Sequence, residues 1–222
     1  SDHVGRSLHH GYFQDCKTGA LKEWACSQFE ENNEHRHLSH LYCVWPLFET
    51  QNDERLKSAC IQAINNRTSE NEASHALVHR SLIAARLKDR TSLTSALVNH
   101  KIRYPSLMTN HDYDQRSCYC TDFAIGYLGI VNEALVFSNK NEIEIIPALF
   151  ESGFDAGEIT GIKARTRATV DSLRWDLQSK TAQVTVTSDI DQTITVSCGL
   201  SDKTETLTFR AGETKTVDFV LN

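Results

Sequence analysis

The segment from Glu34 to His40 holds three histidines, one arginine and one carboxylate within seven residues (Glu34-His35-Arg36-His37-Leu38-Ser39-His40). Imidazole and guanidinium groups donate hydrogen bonds in the directions that sugar hydroxyls accept, so the segment could bind a polyhydroxylated ligand. Two other interpretations stay open, a polar loop and a metal site. The spacing of His35, His37 and His40 matches no common zinc pattern, so we expect no metal and no cofactor.

Two other carboxylates are candidates for chemistry. Glu23 stands beside Trp24 and close in sequence to the histidine segment, although a surface carboxylate explains it equally well. The rings of Trp24, Tyr42 and Trp45 offer apolar faces to sugar C–H groups. Asp122 begins a strongly apolar segment, where helix capping favours an acidic residue. An aspartate held there can also stay ionised, as a general base requires.

Apolar residues at three- and four-residue steps predict the helices that position these side chains. Ser69 and Glu72 form a capping box at the start of the second helix. The last helix is apolar on nearly every side, which is typical of a helix buried in a large helical domain. The predicted helices are Asn52–Asn65, Ser69–Lys88, Thr91–Asn99 and Asp122–Phe137.

The periodicity changes near Gly157. All ten histidines precede this point, and ten threonines lie in residues 181–222, where they alternate with valine and isoleucine. Alternation with a period of two predicts an antiparallel sheet with one exposed face. We therefore place a helical domain at residues 1–155 and a β-sandwich-like domain at 156–222. The predicted strands are Ile159–Ala164, Ala168–Trp175, Ala182–Thr187, Gln192–Ser197, Glu205–Phe209 and Thr216–Leu221.

Composition narrows the range of partners. The net charge of −6 argues against nucleic-acid binding through phosphate neutralisation. No segment is apolar for the roughly 20 residues that a membrane helix needs, so we expect no membrane partner. Seven cysteines at irregular spacings predict free thiols, which slightly favours the cytoplasm. Secretion remains open, because a signal could lie upstream of Ser1.

Several motifs, in a fixed order, resemble those of glycoside hydrolase family 95, which contains inverting α-L-fucosidases and related α-L-galactosidases. The segment from His35 to Leu41 is similar to the family's His-Arg-His-x-Ser-His-Leu motif, and Gly19 to Trp24 is similar to its Gly-x-Leu-Gln-Glu-Trp segment. The resemblance extends to about residue 175. Ile146–Leu149 and Gly157–Arg165 resemble the family's junction between barrel and β domain, and this junction and the histidine motif are the specific matches. Ala85-Arg86-Leu87 with Asp89, and Asp122 with Gly126, are individually weak matches.

The resemblance implies a fold with separate α and β domains. Residues 1–155 would supply the C-terminal helices of an (α/α)6 glycosidase barrel, and an antiparallel β domain would follow. Asp122 would help to activate the water that attacks the anomeric carbon. Sugar contacts would come from the histidine segment and its neighbours, which are Glu23, Trp24, His35, Arg36, His37 and His40.

The resemblance also implies what these residues do not supply. The family's general acid lies in an upstream Ser-Pro-Glu-Asn segment, which does not occur in this sequence. Ala124-Ile125 replaces the Asn-Phe that follows the family's aspartate. We therefore expect the chain by itself to be inactive on the glycan substrate. Its expected partners are the upstream part of the enzyme or a second copy. A non-catalytic carbohydrate-binding or structural module is the alternative.

Overall fold

A computed structural model describes residues 6–7, 11–26, 28–67, 74–96, 120–151 and 153–222. The chain forms two compact units, Ser1–Ile130 and Val131–Asn222. The first is mainly helical among its described residues, and the second is mainly β-sheet. This combination of helices and sheets in separate parts of the chain confirms the predicted mixed α and β class, and the (α/α)6 barrel stays a prediction.

The first unit combines a short hairpin with helices. Its core forms because one stripe of α1, which includes Leu56, Cys60 and Ile64, is buried against Leu21 and Leu41. The Asp53 carboxylate caps α1 by accepting a hydrogen bond from the Leu56 amide at 2.9 Å. The elements are β1 Arg6–Ser7, β2 Phe13–Gln14, a 3-10 helix at Ser39–Cys43, α1 Glu54–Asn66, α2 Ser74–Leu87, α3 Arg90–Thr94 and α4 Thr121–Leu135.

The predicted helices are found within a few residues of their expected bounds. The capping box of Ser69 and Glu72 lies outside the described residues, as does the end of the predicted third helix beyond residue 96. The fourth helix was predicted to reach Phe137, but it ends at Leu135 and the chain continues as a strand. None of the described helices is long and apolar enough to cross a membrane.

The second unit contains two four-stranded sheets. One has the order β10-β7-β6-β5 and the other the order β3-β4-β8-β9. One shared core holds Val170, Val184 and Phe219 from the first sheet together with Ile143 and Ile194 from the second. The strands are β3 Val136–Asn139, β4 Glu142–Ile145, β5 Ala156–Ala164, β6 Ala168–Asp176, β7 Thr181–Ser188, β8 Gln192–Cys198, β9 Thr204–Phe209 and β10 Thr214–Val220.

The β3–β4 hairpin corrects the expectation that residues up to about 150 are helical. The compact β unit begins at Val131, upstream of the boundary placed at residue 155. Val136, Phe137 and Ser138 are buried in succession, so this strand shows no alternation and its apolar residues continue those of α4 without a break. The second sheet is not wholly antiparallel either, because β4 pairs with β8 in parallel.

The six strands predicted between residues 159 and 221 all form. Ala182, Val184, Val186 and Ser188 are buried in β7, and the residues between them are exposed or half-buried. This is the pattern from which an exposed sheet face was predicted. Trp175 joins the core and donates its indole N–H to the Phe154 carbonyl at 2.8 Å, so burial of this ring leaves no unpaired donor.

Two glycines of α4 that lie close to α2 make a matched pair for a stability test. A Cβ at Gly126 would lie 2.5 Å from Cγ1 of Val78, whereas a Cβ at Gly129 would lie 3.8 Å from Cδ2 of Leu82. We expect Gly129→Ala to raise the free energy of unfolding by about 0.5–1 kcal/mol, because alanine favours helix. Gly126→Ala should lower it by about 1–3 kcal/mol through overpacking.

Urea unfolding, monitored by circular dichroism, measures the change in the free energy of unfolding for both variants. Val78→Ala in the Gly126→Ala background should recover part of the loss, since it removes the methyl groups that meet the new Cβ. Equal stability of the two single variants would contradict this packing of α4 on α2.

Candidate active site

A buried ion pair connects Glu23 to the end of α1. The Arg67 guanidinium lies 3.2 Å from the Glu23 carboxylate, and the two side chains are 1% and 18% exposed. The other carboxylate oxygen of Glu23 accepts a hydrogen bond from the Ser39 hydroxyl at 3.2 Å. The structure therefore brings Glu23 and the histidine segment into contact.

Arg67 also holds the backbone between Glu23 and His35. Its guanidinium donates to the Asn32 carbonyl and, over 3.4 Å, more weakly to the His35 carbonyl. The Glu31 carboxylate accepts a hydrogen bond from the Glu23 amide at 3.0 Å. Arginine suits this position because its planar group presents several donors in fixed directions. These contacts hold a loop in which the described residues from Glu23 to His35 form no helix or strand.

The histidine segment begins with two neighbouring rings. The ring centroids of His35 and His37 are 5.0 Å apart, and Nδ1 of His35 accepts a hydrogen bond from the His37 amide at 3.2 Å. His35 and Arg36 are half-buried, whereas His37 is exposed. This backbone bond fixes one nitrogen of His35 as an acceptor. The segment then enters the 3-10 helix that carries His40.

His40 is more enclosed than the other two histidines. Burial, together with the nearby Arg67 guanidinium, lowers the pKa of His40 to about 4, although the Glu23 carboxylate opposes the shift. Its imidazole is therefore neutral near pH 7. Its Nδ1 atom is buried and has no hydrogen-bond partner among the described residues. His40 also lines a cavity of about 190 Å³.

A second buried arginine, Arg86, holds the loop of residues 44–48 in place. Arg86 donates from one guanidinium nitrogen to the carbonyls of Val44, Pro46 and Leu47 at 3.2, 3.0 and 3.0 Å. Its guanidinium carbon lies 4.0 Å from the ring centroids of both Trp45 and Phe48. Trp45 is thus engaged with Arg86 rather than free to stack on a ligand. The Trp45–Pro46 peptide bond is cis.

Tyr42, just before this loop, lies beside His79 of α2. The Tyr42 and His79 rings meet edge to face with centroids 5.2 Å apart, and Nε2 of His79 lies 3.4 Å from the Trp45 carbonyl. Burial lowers the pKa of His79, and the positive charge that His37 can carry lowers it further. Tyr42 is 54% exposed, so one aromatic ring with polar neighbours faces solvent.

The remaining candidates are more exposed. Trp24 is 45% exposed and its ring centroid lies 5.3 Å from that of Phe29. Asp122 is an exposed residue in the first turn of α4. Within the described residues, no hydrogen bond or ion pair joins Asp122 to Glu23 or to the histidine segment. The described residues also include no group of three or more histidine, cysteine, aspartate or glutamate side chains arranged to hold a metal ion.

Comparison with known proteins gives this cluster a family. Residues 8–135, more than half of the chain, match the glycosyl hydrolase family 95 catalytic domain. The chain belongs to glycoside hydrolase family 95. The match includes Glu23, the histidine segment, Arg67, Arg86 and Asp122, so every predicted site residue lies within the region that family 95 shares.

Among curated proteins, the chain is similar to alpha-L-fucosidase 2 from Arabidopsis thaliana, with 25% identity over 169 residues. The match covers 72% of this chain but only 20% of the relative. A solved GH127 β-L-arabinofuranosidase from Geobacillus stearothermophilus T6 aligns with a TM-score of 0.42 at 12% identity. That alignment covers 82% of this chain and 41% of the other, and it does not establish a shared fold.

Two residues of this family 95 cluster were missed by sequence reasoning. Arg67 follows α1 directly and falls in no short motif, and His79 lies in a helix that was interpreted as core. Their partners are 44 and 37 residues away in the chain, at Glu23 and Tyr42. A charged residue just after an amphipathic helix was the available signal for Arg67, but such residues are usually solvated.

Removal of Arg67 tests the importance of the ion pair. Arg67→Met leaves the Glu23 carboxylate in a largely buried position and removes the donor to the Asn32 carbonyl. We expect the free energy of unfolding to fall by about 3–5 kcal/mol. Arg174→Met is the matched control, because it breaks an exposed pair with Glu158 and should cost about 0–1 kcal/mol. Similar losses in the two variants, measured by chemical denaturation, would contradict the structural importance of Arg67.

The lowered pKa of His40 predicts a pH dependence of stability. The folded chain binds this proton with a pKa of about 4, whereas the ordinary pKa of a histidine side chain is 6.5. As the pH falls below 6.5 the unfolded chain takes up the proton first, so stability decreases between about pH 6.5 and pH 4. The loss attributable to His40 should approach about 3 kcal/mol at its acid limit.

Denaturant unfolding of His40→Gln between pH 4 and pH 8 measures this loss. The variant should gain stability relative to the parent as the pH falls, because glutamine takes up no proton. His37→Gln is the control at an exposed position and should follow the parent. A parallel pH dependence for His40→Gln and the parent would show that His40 titrates normally in the folded chain.

Proposed function

We propose that this chain is part of an inverting glycoside hydrolase that removes terminal α-L-fucosyl, or α-L-galactosyl, residues from glycans. The family 95 match over residues 8–135 carries the proposal. The curated relative is an alpha-L-fucosidase by name, which supports the choice of sugar. This chain spans 20% of that relative, so hydrolysis is proposed for the enzyme of which it is a part.

The histidine segment is proposed to bind the sugar. The pair of Arg67 and Glu23 fixes the loop that ends at His35, and the Ser39 hydroxyl fixes the start of the 3-10 helix. A loop held in place before the ligand arrives loses little conformational entropy on binding. His35, His37 and Arg36 would hydrogen-bond the hydroxyls of the sugar ring, and the exposed Trp24 would pack on its C–H face.

Asp122 is proposed to activate the attacking water. Its side chain is exposed in the first turn of α4, where a water molecule can reach it, and a carboxylate can act as a general base towards water. Inversion also requires a general acid on the opposite face of the sugar. The upstream part of the enzyme would supply that acid and the earlier helices of an (α/α)6 barrel.

The exposed face of α4 supports this partnership. Ile125 and Leu128 are 76% and 66% exposed, and they lie one helical turn apart on a helix whose opposite side is buried. Large apolar side chains exposed together mark a surface that another segment covers. We propose that the upstream part of the enzyme, or a second copy of this chain, packs there.

A non-catalytic carbohydrate-binding module is the second candidate. One observation favours it, since Ala124-Ile125 follows Asp122 where the family has Asn-Phe. Sugar binding without hydrolysis by the complete enzyme would identify this alternative.

Hydrolysis of an aryl α-L-fucoside distinguishes these roles. The 222-residue chain alone should show no useful turnover, and the complete enzyme should hydrolyse the substrate with inversion at the anomeric carbon, read by NMR. In the complete enzyme Asp122→Ala should lower kcat by about 10²- to 10⁴-fold and change KM little, because water activation acts in the transition state. His37→Ala should chiefly raise KM.

Glu54→Ala is the matched control, because Glu54 is also an exposed carboxylate in the first turn of a helix. It should leave both kinetic constants unchanged. Turnover by the chain alone, or an unaffected Asp122→Ala enzyme, would place the chemistry on other residues.

A further inference from the structure

Two cysteines of the first unit lie against each other in its core. Cys43 is the last residue of the 3-10 helix, Cys60 lies in the middle of α1, and both side chains are buried. Their sulfur atoms are 3.8 Å apart, which is a van der Waals contact. Both thiols are free, and the proposed function gives neither of them a role.

Hydrogen bonds orient the two thiols. The Cys43 thiol donates to the His40 carbonyl over 3.6 Å. Because the Cys43 hydrogen points to that carbonyl, the Cys60 thiol is the donor between the two sulfurs. This hydrogen bond is the main cause of a raised pKa of the Cys60 thiol, and burial raises the pKa further. Cys60 is therefore a neutral thiol near pH 7 in the folded, reduced chain.

The distance between the sulfurs suits a covalent bond. A disulfide bond is about 2.05 Å long, so the two sulfurs would have to approach each other by about 1.8 Å. Each sulfur moves when its side chain rotates about the Cα–Cβ bond, and the approach can be shared between the two side chains. The surrounding core includes Leu41, Leu56 and Ile64, whose hydrocarbon side chains do not react with sulfur.

A bond at this position would join two elements that position the histidine segment. Cys43 follows His40 on the same 3-10 helix, and Cys60 is fixed by the backbone of α1. The two cysteines are 17 residues apart in the chain. A disulfide that closes a loop of this size stabilises the folded state, chiefly by restricting the unfolded chain.

We infer that Cys43 and Cys60 form a disulfide bond when the chain folds in the presence of a small-molecule disulfide such as oxidised glutathione. One cysteine thiolate attacks a sulfur of glutathione disulfide, forms a mixed disulfide and releases one glutathione. The other cysteine, on losing its proton, attacks the cysteine sulfur of the mixed disulfide and releases the second glutathione. Two cysteine thiols are thus oxidised, one glutathione disulfide is reduced to two thiols, and the two cysteine protons pass to them.

The bond should form during folding and not after it. The thiolate is the reactive form of cysteine, and in the folded chain both sulfurs are enclosed and the pKa of the Cys60 thiol is raised. In the unfolded chain both sulfurs are accessible to glutathione. The state of the pair would therefore record whether the chain folded in a reducing or in an oxidising compartment.

Oxidative refolding of the 222-residue chain, followed by peptide mapping, tests the inference. The chain is refolded from urea in a mixture of reduced and oxidised glutathione, its free thiols are blocked with iodoacetamide, and it is digested with trypsin without reduction. Trypsin separates the two cysteines into the peptides 37–55 and 58–67. We expect these peptides to be joined in most chains, with two fewer blocked cysteines than after refolding in dithiothreitol.

Three controls show whether the folded structure directs this pairing. Oxidation in urea should favour pairs that are closer in the chain, such as Cys16 and Cys26, because shorter loops close more readily. Cys16→Ser, at an exposed position, should form the Cys43–Cys60 bond like the parent. When oxidised glutathione is added to the folded, reduced chain, the bond should form at least about tenfold more slowly than during refolding.

The opposite results would overturn the inference. These are seven blocked cysteines after oxidative refolding, a dominant bond between other cysteines, or an equal yield of the Cys43–Cys60 bond in urea. Cys60→Ser should leave Cys43 free to be blocked, and if this variant does not fold, the peptide map of the parent decides the question. The test involves no sugar and no hydrolysis, so its result is independent of the proposed function.

Discussion

The ion pair between Arg67 and Glu23 is the interaction on which the helical unit's loops depend. The described residues between Glu23 and His35 form no helix or strand that would satisfy their backbone groups, and Arg67 donates to two of their carbonyls from a buried position. A buried charge is costly unless a partner and hydrogen bonds surround it, and Glu23 with the loop carbonyls meets both needs. Burial is the main cause of the lowered pKa of His40, and Arg67 adds to this effect while Glu23 opposes it.

Arg86 repeats this arrangement at the following loop. It binds three carbonyls and lies between two aromatic rings, and it thereby fixes the segment that leads from Tyr42 to Phe48. Lysine could not replace either arginine in this role, because an ammonium group lacks the planar set of donors and loses more hydration on burial. Arg67, directly after α1, and Arg86, in α2, therefore hold the two irregular segments that carry the candidate sugar contacts.

The β unit has a different physical basis. Its sheets are held by backbone pairing and by a shared apolar core, and polar side chains pair on the exposed face, as between Gln183 and Asp218 at 2.7 Å. The family 95 match ends at residue 135, so it includes only the first residues of this unit. The candidate chemistry is accordingly confined to the helical unit, and the β unit has no role in the proposed mechanism.

The sequence alone determined the family, the helices and six of the strands. Strong periodicity located α1 and β7, and the order of short motifs around His35–Leu41 identified family 95, because these signals are local. Tertiary structure alone decided that Arg67 meets Glu23, that His79 meets Tyr42 and that His40 faces a cavity. It also turned residues 136–145 into a hairpin, because a strand buried on both faces looks like the helix before it. Contacts between residues far apart in the chain depend on how the helices and strands pack, and no local pattern records that packing.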